Sequence, residues 1–291
     1  MQLSTVTNMF KDREDGSKIP LEEAMRRCRE IGFTVQDVSV SSSKEDKNFA
    51  LNGNDWERWI DDIGDLMAKL GIRFDSAHMP FFSVDDPAFI DPERRAFVER
   101  AKFRSITACG RWGVKWVVEH VTNSKEDNGF FPEIKRKSLE YFSRYLEAAA
   151  KVNIGIAFEN MPPAQKNVRY LAAVHELVDF VDSIKSPNAG ICWDFGHANM
   201  VYADQCRALR EVGKRLKATH VQDNWGVSDS HMVPFCGTIK WAPIMKTLTE
   251  IGYEGNFTFE LGNYNSRKPD YIQTIQALHA FKIGEYLLSL A

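Results

Sequence analysis

The chain has 291 residues and is 44% apolar, 12% aromatic and 26% charged, which is ordinary usage for a globular protein and excludes a disordered, collagen-like or coiled-coil chain. Its net charge of −3 supplies no global positive field to gather nucleic acid or an anionic membrane. Division by about 150 residues per domain suggests two domains, yet α/β barrels use roughly 200 to 250 residues or more as one, so the order of the elements has to decide.

That order is an alternation of short apolar, β-branched runs with longer helical periodicities. Along the chain the predicted units are strand 3–7 with helix 20–31, strand 33–40 with helix 55–70, strand 72–78 with helix 92–110 and strand 114–120 with helix 133–152. The second half repeats the pattern with strand 154–159 and helix 168–186, strand 189–194 and helix 203–216, strand 218–222 and helix 241–251, and strand 256–260 and helix 269–290. Pro20 and Pro92 stand at first turns, and Gly32, Gly71 and Gly252 stand just past helix ends, in keeping with helix start and stop chemistry. The junctions EIGFTV, KLGIRF, RWGVKW and EIGYEG each carry a glycine between helix and strand, where a left-handed residue turns the chain into the next strand.

Eight such units predict a single (β/α)8 TIM barrel, an α/β fold occupying residues 1–291 as one domain. An open doubly wound sheet is the alternative, but no GxGxxG follows an early strand and no GxxxxGK[ST] occurs, so nucleotide-phosphate chemistry lacks its motifs. The longest irregular stretches, 41–54, 79–91 and 223–240, read as βα loops over one face.

The five cysteines (Cys28, Cys109, Cys192, Cys206, Cys236) are dispersed, odd in number and form no CxxC pair, which argues against a disulfide framework or a thiolate zinc site and for a reducing compartment. The N-terminal MQLSTVTNMFKDREDG lacks the apolar h-region of a signal peptide, and no window approaches the roughly 18 uncharged apolar residues of a membrane span. The expectation is a cytoplasmic protein.

In a parallel barrel the reacting face is built from the C-terminal strand ends and the loops after them. Of the seven histidines, His78, His120 and His220 end or directly follow strand runs, His197 and His231 fall in βα loops, and His175 and His279 lie within helices. Glu159 ends IGIAFE, Asp194 ends AGICWD and Glu260 ends NFTFE. A lone histidine beside a strand is more often a hydrogen-bonded structural residue than a ligand. A carboxylate ending an apolar run is harder to dismiss, because burying it unpaired is costly. Three carboxylates and several imidazoles at one mouth call for a cation. Glu159, Asp194, His220 and Glu260 offer an O/O/N/O set suited to one divalent metal ion, with Mn²⁺ favoured, Mg²⁺ or Co²⁺ next and Zn²⁺ also compatible. Phe81, Phe82, Trp225, Phe235 and Trp241 are loop aromatics that could wall the apolar face of a ligand or simply pack a lid. Lys115 and Lys240 are exposed-type lysines without a glycine-rich helix start, so no phosphorylated substrate is read from them.

With these residues the chain resembles the xylose isomerase-like TIM-barrel superfamily, which includes sugar phosphate isomerases and epimerases, ketose 3-epimerases, inosose dehydratases and endonuclease IV. The resemblance runs through FEN (158–160), CWDFGHAN (192–199), HVQDN (220–224), DSHMVPFCGTIKW (229–241) and GYEGNFTFE (252–260). It implies Glu159, Asp194, His220 and Glu260 as metal ligands and His197 as a substrate contact, with His78, His120, Asp229, His231 and Trp225 as further candidate substrate-binding residues. It further implies an isomerase or epimerase of a keto- or aldo-sugar, or of a sugar phosphate, working by proton abstraction through an enediolate, in which Glu159 and Glu260 flank the substrate as an acid/base pair while the metal polarises its oxygens. The sequence departs from ketose 3-epimerases in the loop after strand five, MPPAQKN, and where Asp229 and His231 replace an Arg region; PFCGTIKW also replaces the usual PGxGxIxW.

A keto-sugar or inosose dehydratase or lyase begins with the same enolisation and is the first alternative. An endonuclease IV-like zinc phosphodiesterase is the second, because His78, His120, Glu159, Asp194, His197, His220, Asp229, His231 and Glu260 match its three-zinc residues in kind; the acidic net charge weighs against it. A sugar-binding barrel without activity is the non-enzymatic alternative. The expected partner is a small-molecule carbohydrate, with no nucleic acid and no membrane, and a homo-oligomer is left open.

Overall fold

Eight parallel strands hydrogen-bond in chain order into a closed barrel: β1 (Gln2–Val6), β2 (Val35–Ser39), β3 (Arg73–His78), β4 (Trp116–Glu119), β5 (Gly155–Glu159), β6 (Ala189–Asp194), β7 (Leu216–Val221) and β8 (Asn256–Phe259). The computed structural model describes residues 1–44, 46–80, 91–121, 130–163 and 169–291. Closure is made by β8 against β1, with Leu3 opposite Phe257 and Thr5 opposite Phe259.

Helices α1 (Leu21–Ile31), α2 (Trp56–Leu70), α3 (Pro92–Arg111), α4 (Phe131–Lys151) and α5 (Val174–Ile184) follow the first five strands. Two helices, α6 (Phe195–Asn199) and α7 (Cys206–Val212), follow β6, then come α8 (Trp241–Glu250), α9 (Gly262–Asn265) and α10 (Asp270–Leu288). The expected junction chemistry is present: Gly71 holds φ 61° and Gly252 holds φ 71° as the chain turns from helix to strand. At the start of α3, Pro92 occupies the first turn and the Asp91 side chain accepts from the N–H groups of Glu93 and Arg94.

Two helices are shorter than their periodicity predicts. The expected start of the fifth, at 168, lies outside the described residues; α5 begins at Val174 because Leu171 holds a left-handed φ of 66° and Ala173 is extended, with the Glu176 carboxylate accepting from the Leu171 N–H at 3.0 Å. The sixth, expected over 203–216, is cut to Cys206–Val212 (α7), started by Asp204 accepting from the Cys206 N–H and ended at Gly213 with φ 53°.

The main core lies between sheet and helices. A second apolar cluster, Val118, Ala157, Cys192 and Ala218 with Trp116 against it, is separate from the first and fills the barrel interior. Side chains two residues apart on a strand share a face, so these four residues direct His120, Glu159, Asp194 and His220 into the barrel mouth one layer above them. Among the described residues no helix is long and apolar enough to cross a membrane. All five cysteines are free.

Candidate functional site

The strand ends fix the site. His78, Glu159 and Asp194 are the last residues of β3, β5 and β6, His220 is the penultimate residue of β7, and His120 and Glu260 come directly after β4 and β8. Glu159, Asp194 and His220 are at most 1% exposed, and each of these with Glu260 offers one ligand atom within 4.8 Å of the others.

Glu159 is the hub. Its Oε2 lies 2.7 Å from His120 Nε2 and 3.2 Å from His220 Nδ1, while its Oε1 lies 3.2 Å from His197 Nδ1. Glu260 faces it across the mouth, with Oε1 3.2 Å from His78 Nε2 and Oε2 3.6 Å from His220 Nδ1. The two glutamates thus approach the same imidazole. The His220 ring stacks on His78 at 4.3 Å with 12° between planes, and neither of its buried nitrogens has a well-formed hydrogen bond. Buried nitrogens of that kind are rare without a partner, and an imidazole aimed among three carboxylates has the chemistry of a metal ligand.

The segment after β6 places the next residues. Asp194 caps α6 by accepting from the His197 N–H at 2.7 Å, and Asn160 bridges β5 to β6 by donating to Asp194 O at 2.9 Å and accepting from Asp194 N at 2.7 Å. His197 is therefore held one turn beyond Asp194, with Nδ1 2.8 Å from Asn160 O and Nε2 3.3 Å from Asp229 Oδ2. The same Asp229 oxygen lies 3.1 Å from His231 Nε2, and His231 Nδ1 lies 2.9 Å from Glu260 O. Gln222 joins the groups, its Nε2 donating to Asp229 Oδ1 and Asp194 Oδ1 and its Oε1 accepting from the His231 N–H.

The loop carrying Asp229 and His231 is organised by Asp223, which is fully buried. Its carboxylate accepts from the backbone N–H groups of Asn224 (2.8 Å), Phe235 (2.9 Å) and Ile239 (3.2 Å) and from Trp241 Nε1 (3.1 Å). His231 and Phe235 hold left-handed φ angles of 48° and 73°, a strained conformation for non-glycine residues that persists only where the surroundings fix it.

Electrostatics follow from crowding these charges in a buried mouth. Burial opposes ionisation of Glu159, but His220 and His120 hold its carboxyl well below the usual range. Glu260 is likewise brought to about 2, with burial outweighed by His220 and His231. Asp194 goes the other way, pushed up to about 7 by burial, relieved in part by His197 and reinforced by the negative charges of Glu159, Glu260 and Asp229. His231 is raised to about 10, with burial opposing and Glu260 and Asp229 prevailing, and the His78, His197 and His220 imidazoles are raised by the carboxylates around them despite their burial. The upward shifts of the imidazoles and the downward shifts of Glu159 and Glu260 reflect one another's charge, which a divalent ion among Glu159, Asp194, His220 and Glu260 would offset in their place.

All the sequence-predicted site residues gather in this mouth except Trp225, which is 60% exposed. Of the aromatics considered as a wall, Trp241 is instead buried against Phe195 and Phe257, because its indole N–H is tied to Asp223. Phe235 is exposed, and Phe81 and Phe82 lie outside the described residues. The residues sequence reasoning missed are Asp37, whose Oδ1 lies 2.7 Å from His78 Nδ1, together with Asn160, Gln222 and Asp223. Asp37 had a signal, an acid within the apolar run VQDVS; Asn160, Gln222 and Asp223 sat inside FEN and HVQDN without an assigned role.

Known proteins share this architecture. The D-psicose 3-epimerase of Enterocloster bolteae is 32% identical over 90 residues, 31% of this chain and 28% of that protein. A solved D-tagatose 3-epimerase-like protein superposes with a TM-score of 0.77 at 21% identity, covering 100% of this chain and 98% of its own. A solved IolI protein with a bound zinc atom superposes with a TM-score of 0.75 at 19% identity, covering 99% and 98%. The model of one family matches residues 25–281, nearly the whole of the barrel whose mouth collects these side chains, and the chain belongs to that family, the xylose isomerase-like TIM barrels.

Proposed function

We propose that the barrel mouth is the active site of a metal-dependent sugar isomerase or epimerase acting on a small carbohydrate, and that residues 1–291 form one domain. The observation that carries this reading is the pair Glu159 and Glu260, from strands on different sides of the barrel, converging on His220 with Oε2 atoms 3.2 and 3.6 Å from its Nδ1 and Asp194 within ligand reach of all three. Two ionised carboxylates on opposite sides of a pocket can remove a proton from the carbon beside a carbonyl and return one on the same or the other face. Glu159, Asp194, His220 and Glu260 would hold a divalent ion, with Mn²⁺ favoured by the oxygen-rich set, and it would supply Lewis-acid polarisation of a carbonyl and its neighbouring hydroxyl. His197, fixed by Asn160 and Asp229, and His120, beside Glu159, present ring nitrogens for substrate hydroxyls. The epimerase relative and the zinc-bearing neighbour support the substrate class and the ion. A dehydratase or lyase on a keto-sugar would use the same proton removal and differ in the departure of a β-substituent.

The test is solvent-deuterium exchange into a panel of keto-sugars and inososes, with product analysis. Glu159→Gln and Glu260→Gln are each expected to lower exchange by about 10²-fold or more; wild-type exchange in either variant on a turned-over substrate sinks the two-glutamate mechanism.

One observation favours a second reading. His197, Asp229 and His231 form a further donor set, with both Nε2 atoms 3.1–3.3 Å from one Asp229 oxygen. Three zinc ions per chain on metal analysis would favour phosphodiester hydrolysis of the endonuclease IV kind; a single ion supports the isomerase.

A further inference from the structure

We propose that the opposite mouth of the barrel, at the N-terminal strand ends, is a second ligand site that takes a phosphomonoester carried on a small ring. A cavity of about 470 Å³ opens there, within the size range of small-molecule sites. It exists because its floor is built of small side chains, Ser76, Ala218 and Thr258, where barrels commonly fill their interior with branched ones. The Trp116 ring lies across the floor, and Gly155 and Gly190 make room for it: a Cβ on Gly155 would overlap the ring, and one on Gly190 would strike the Lys217 side chain and crowd the ring.

The chemistry of the cavity is cationic. Arg73, Lys115 and Lys217 line it against the carboxylates Asp75 and Glu254. Asp75 is engaged by Arg73 Nε at 3.1 Å and by the Asn256 side chain at 3.2 Å, and Lys115 Nζ completes a loose ion pair with it at 3.7 Å. The Lys217 ammonium has no carboxylate partner among the described residues and rests 5.7 Å from the centre of the Trp116 ring. The Lys217 ammonium beside an aromatic face, with Lys115 lining the same cavity, suits a phosphate, which takes charge-assisted hydrogen bonds, joined to a ring that lies on the indole. Lys115 thereby finds a role at the end of the barrel remote from the glutamates. The interior layer of Val118, Ala157, Cys192 and Ala218 separates the two mouths, so the inference holds whatever the catalytic face turns over.

Calorimetric titration of the metal-loaded protein with glucose 6-phosphate, glucose and inorganic phosphate tests it. Glucose 6-phosphate is expected to bind saturably, more tightly than inorganic phosphate, with glucose silent in competition. Lys217→Met should weaken binding by about tenfold or more, as the loss of a charged hydrogen bond implies, while Glu159→Gln leaves it unchanged. Lys217→Arg, which keeps the charge, should retain most of the affinity and guards against a folding defect in the Met variant. The proposal is overturned by an absence of saturable binding, by loss in Glu159→Gln with retention in Lys217→Met, by equal affinity for inorganic phosphate, or by displacement with glucose.

Discussion

Asp194 caps α6 through the His197 N–H and, in the proposed site, also offers a carboxylate to the ion. The two roles separate under substitution, because Asn caps a helix about as well as Asp but brings no charge. Asp194→Asn is expected to keep α6 and its thermal stability without metal at pH 8, since it removes a carboxylate that burial and its neighbours disfavour, yet to lose tight metal binding. Melting curves beside a metal-binding titration check this; a variant that unfolds, or one that binds the ion as tightly as wild type, contradicts it. The same carboxyl gives ion binding a pH dependence. Its folded value is raised to about 7, so below that pH it holds a proton that must leave before it can ligate, and above it no such cost remains. Metal affinity should therefore fall by at least about tenfold per pH unit below about 7, because one or more protons must be released per ion. An affinity flat between pH 5 and 7 would show that Asp194 does not ligate.

At the scale of elements, the inward and outward faces of β4 carry different chemistry. Its inward residues, Trp116 and Val118, lead to His120 in the mouth, while Glu119 points outward and meets Lys102 of α3 at 2.7 Å, both side chains essentially inaccessible. The Lys102 ammonium also sits 4.8–5.2 Å from the rings of Tyr141, Phe142 and Tyr145 on α4. One buried cation thus ties two helices to the strand that delivers His120. Removing one partner of such a pair strands the other charge, at a cost of about 3–5 kcal/mol, whereas replacing both by apolar residues is often neutral. Lys102→Met should lose stability of that order in denaturant unfolding, and Lys102→Met/Glu119→Leu should regain most of it; a double variant as unstable as the single would show that the charges themselves hold α3 and α4 in place. This pair was illegible in the sequence, where Lys102 reads as one more solvated residue of a charged helix and Glu119 as the residue before a candidate histidine. The five-residue α6 escaped for a different reason, since one turn is too short to show helical periodicity. Strand order and the acids at strand ends were legible because each rests on a local rule, apolar runs closed by glycine junctions and a charge where an apolar run stops. Gln222 was not, because it acquires its role only through Asp194 on β6 and Asp229 in the loop beyond β7, and the signal of Asp37, an acid inside an apolar run, did not name its partner His78 on another strand.

For the whole molecule, the proposed ligand set joins β5, β6, β7 and β8, and it reaches β4 through His120 on Glu159 and β3 through His78 on Glu260. An ion bound there engages groups from strands far apart in sequence, which the unfolded chain cannot bring together, so its binding free energy becomes folding free energy. At a free-ion concentration a hundred times the dissociation constant the gain is about 2.7 kcal/mol. Near 60 °C unfolding entropy amounts to about 2.1 cal/mol/K per residue, so over the 291 residues that gain raises Tm by roughly 4 °C. Scanning calorimetry before and after chelation, and again with Mn²⁺ or Zn²⁺ restored, reads this directly. The shift should grow with the logarithm of ion concentration and vanish in Asp194→Asn. A Tm indifferent to chelation in a preparation shown to contain the ion would place that ion somewhere other than among these four strand ends, and the enolisation chemistry assigned to Glu159 and Glu260 would lose its Lewis acid.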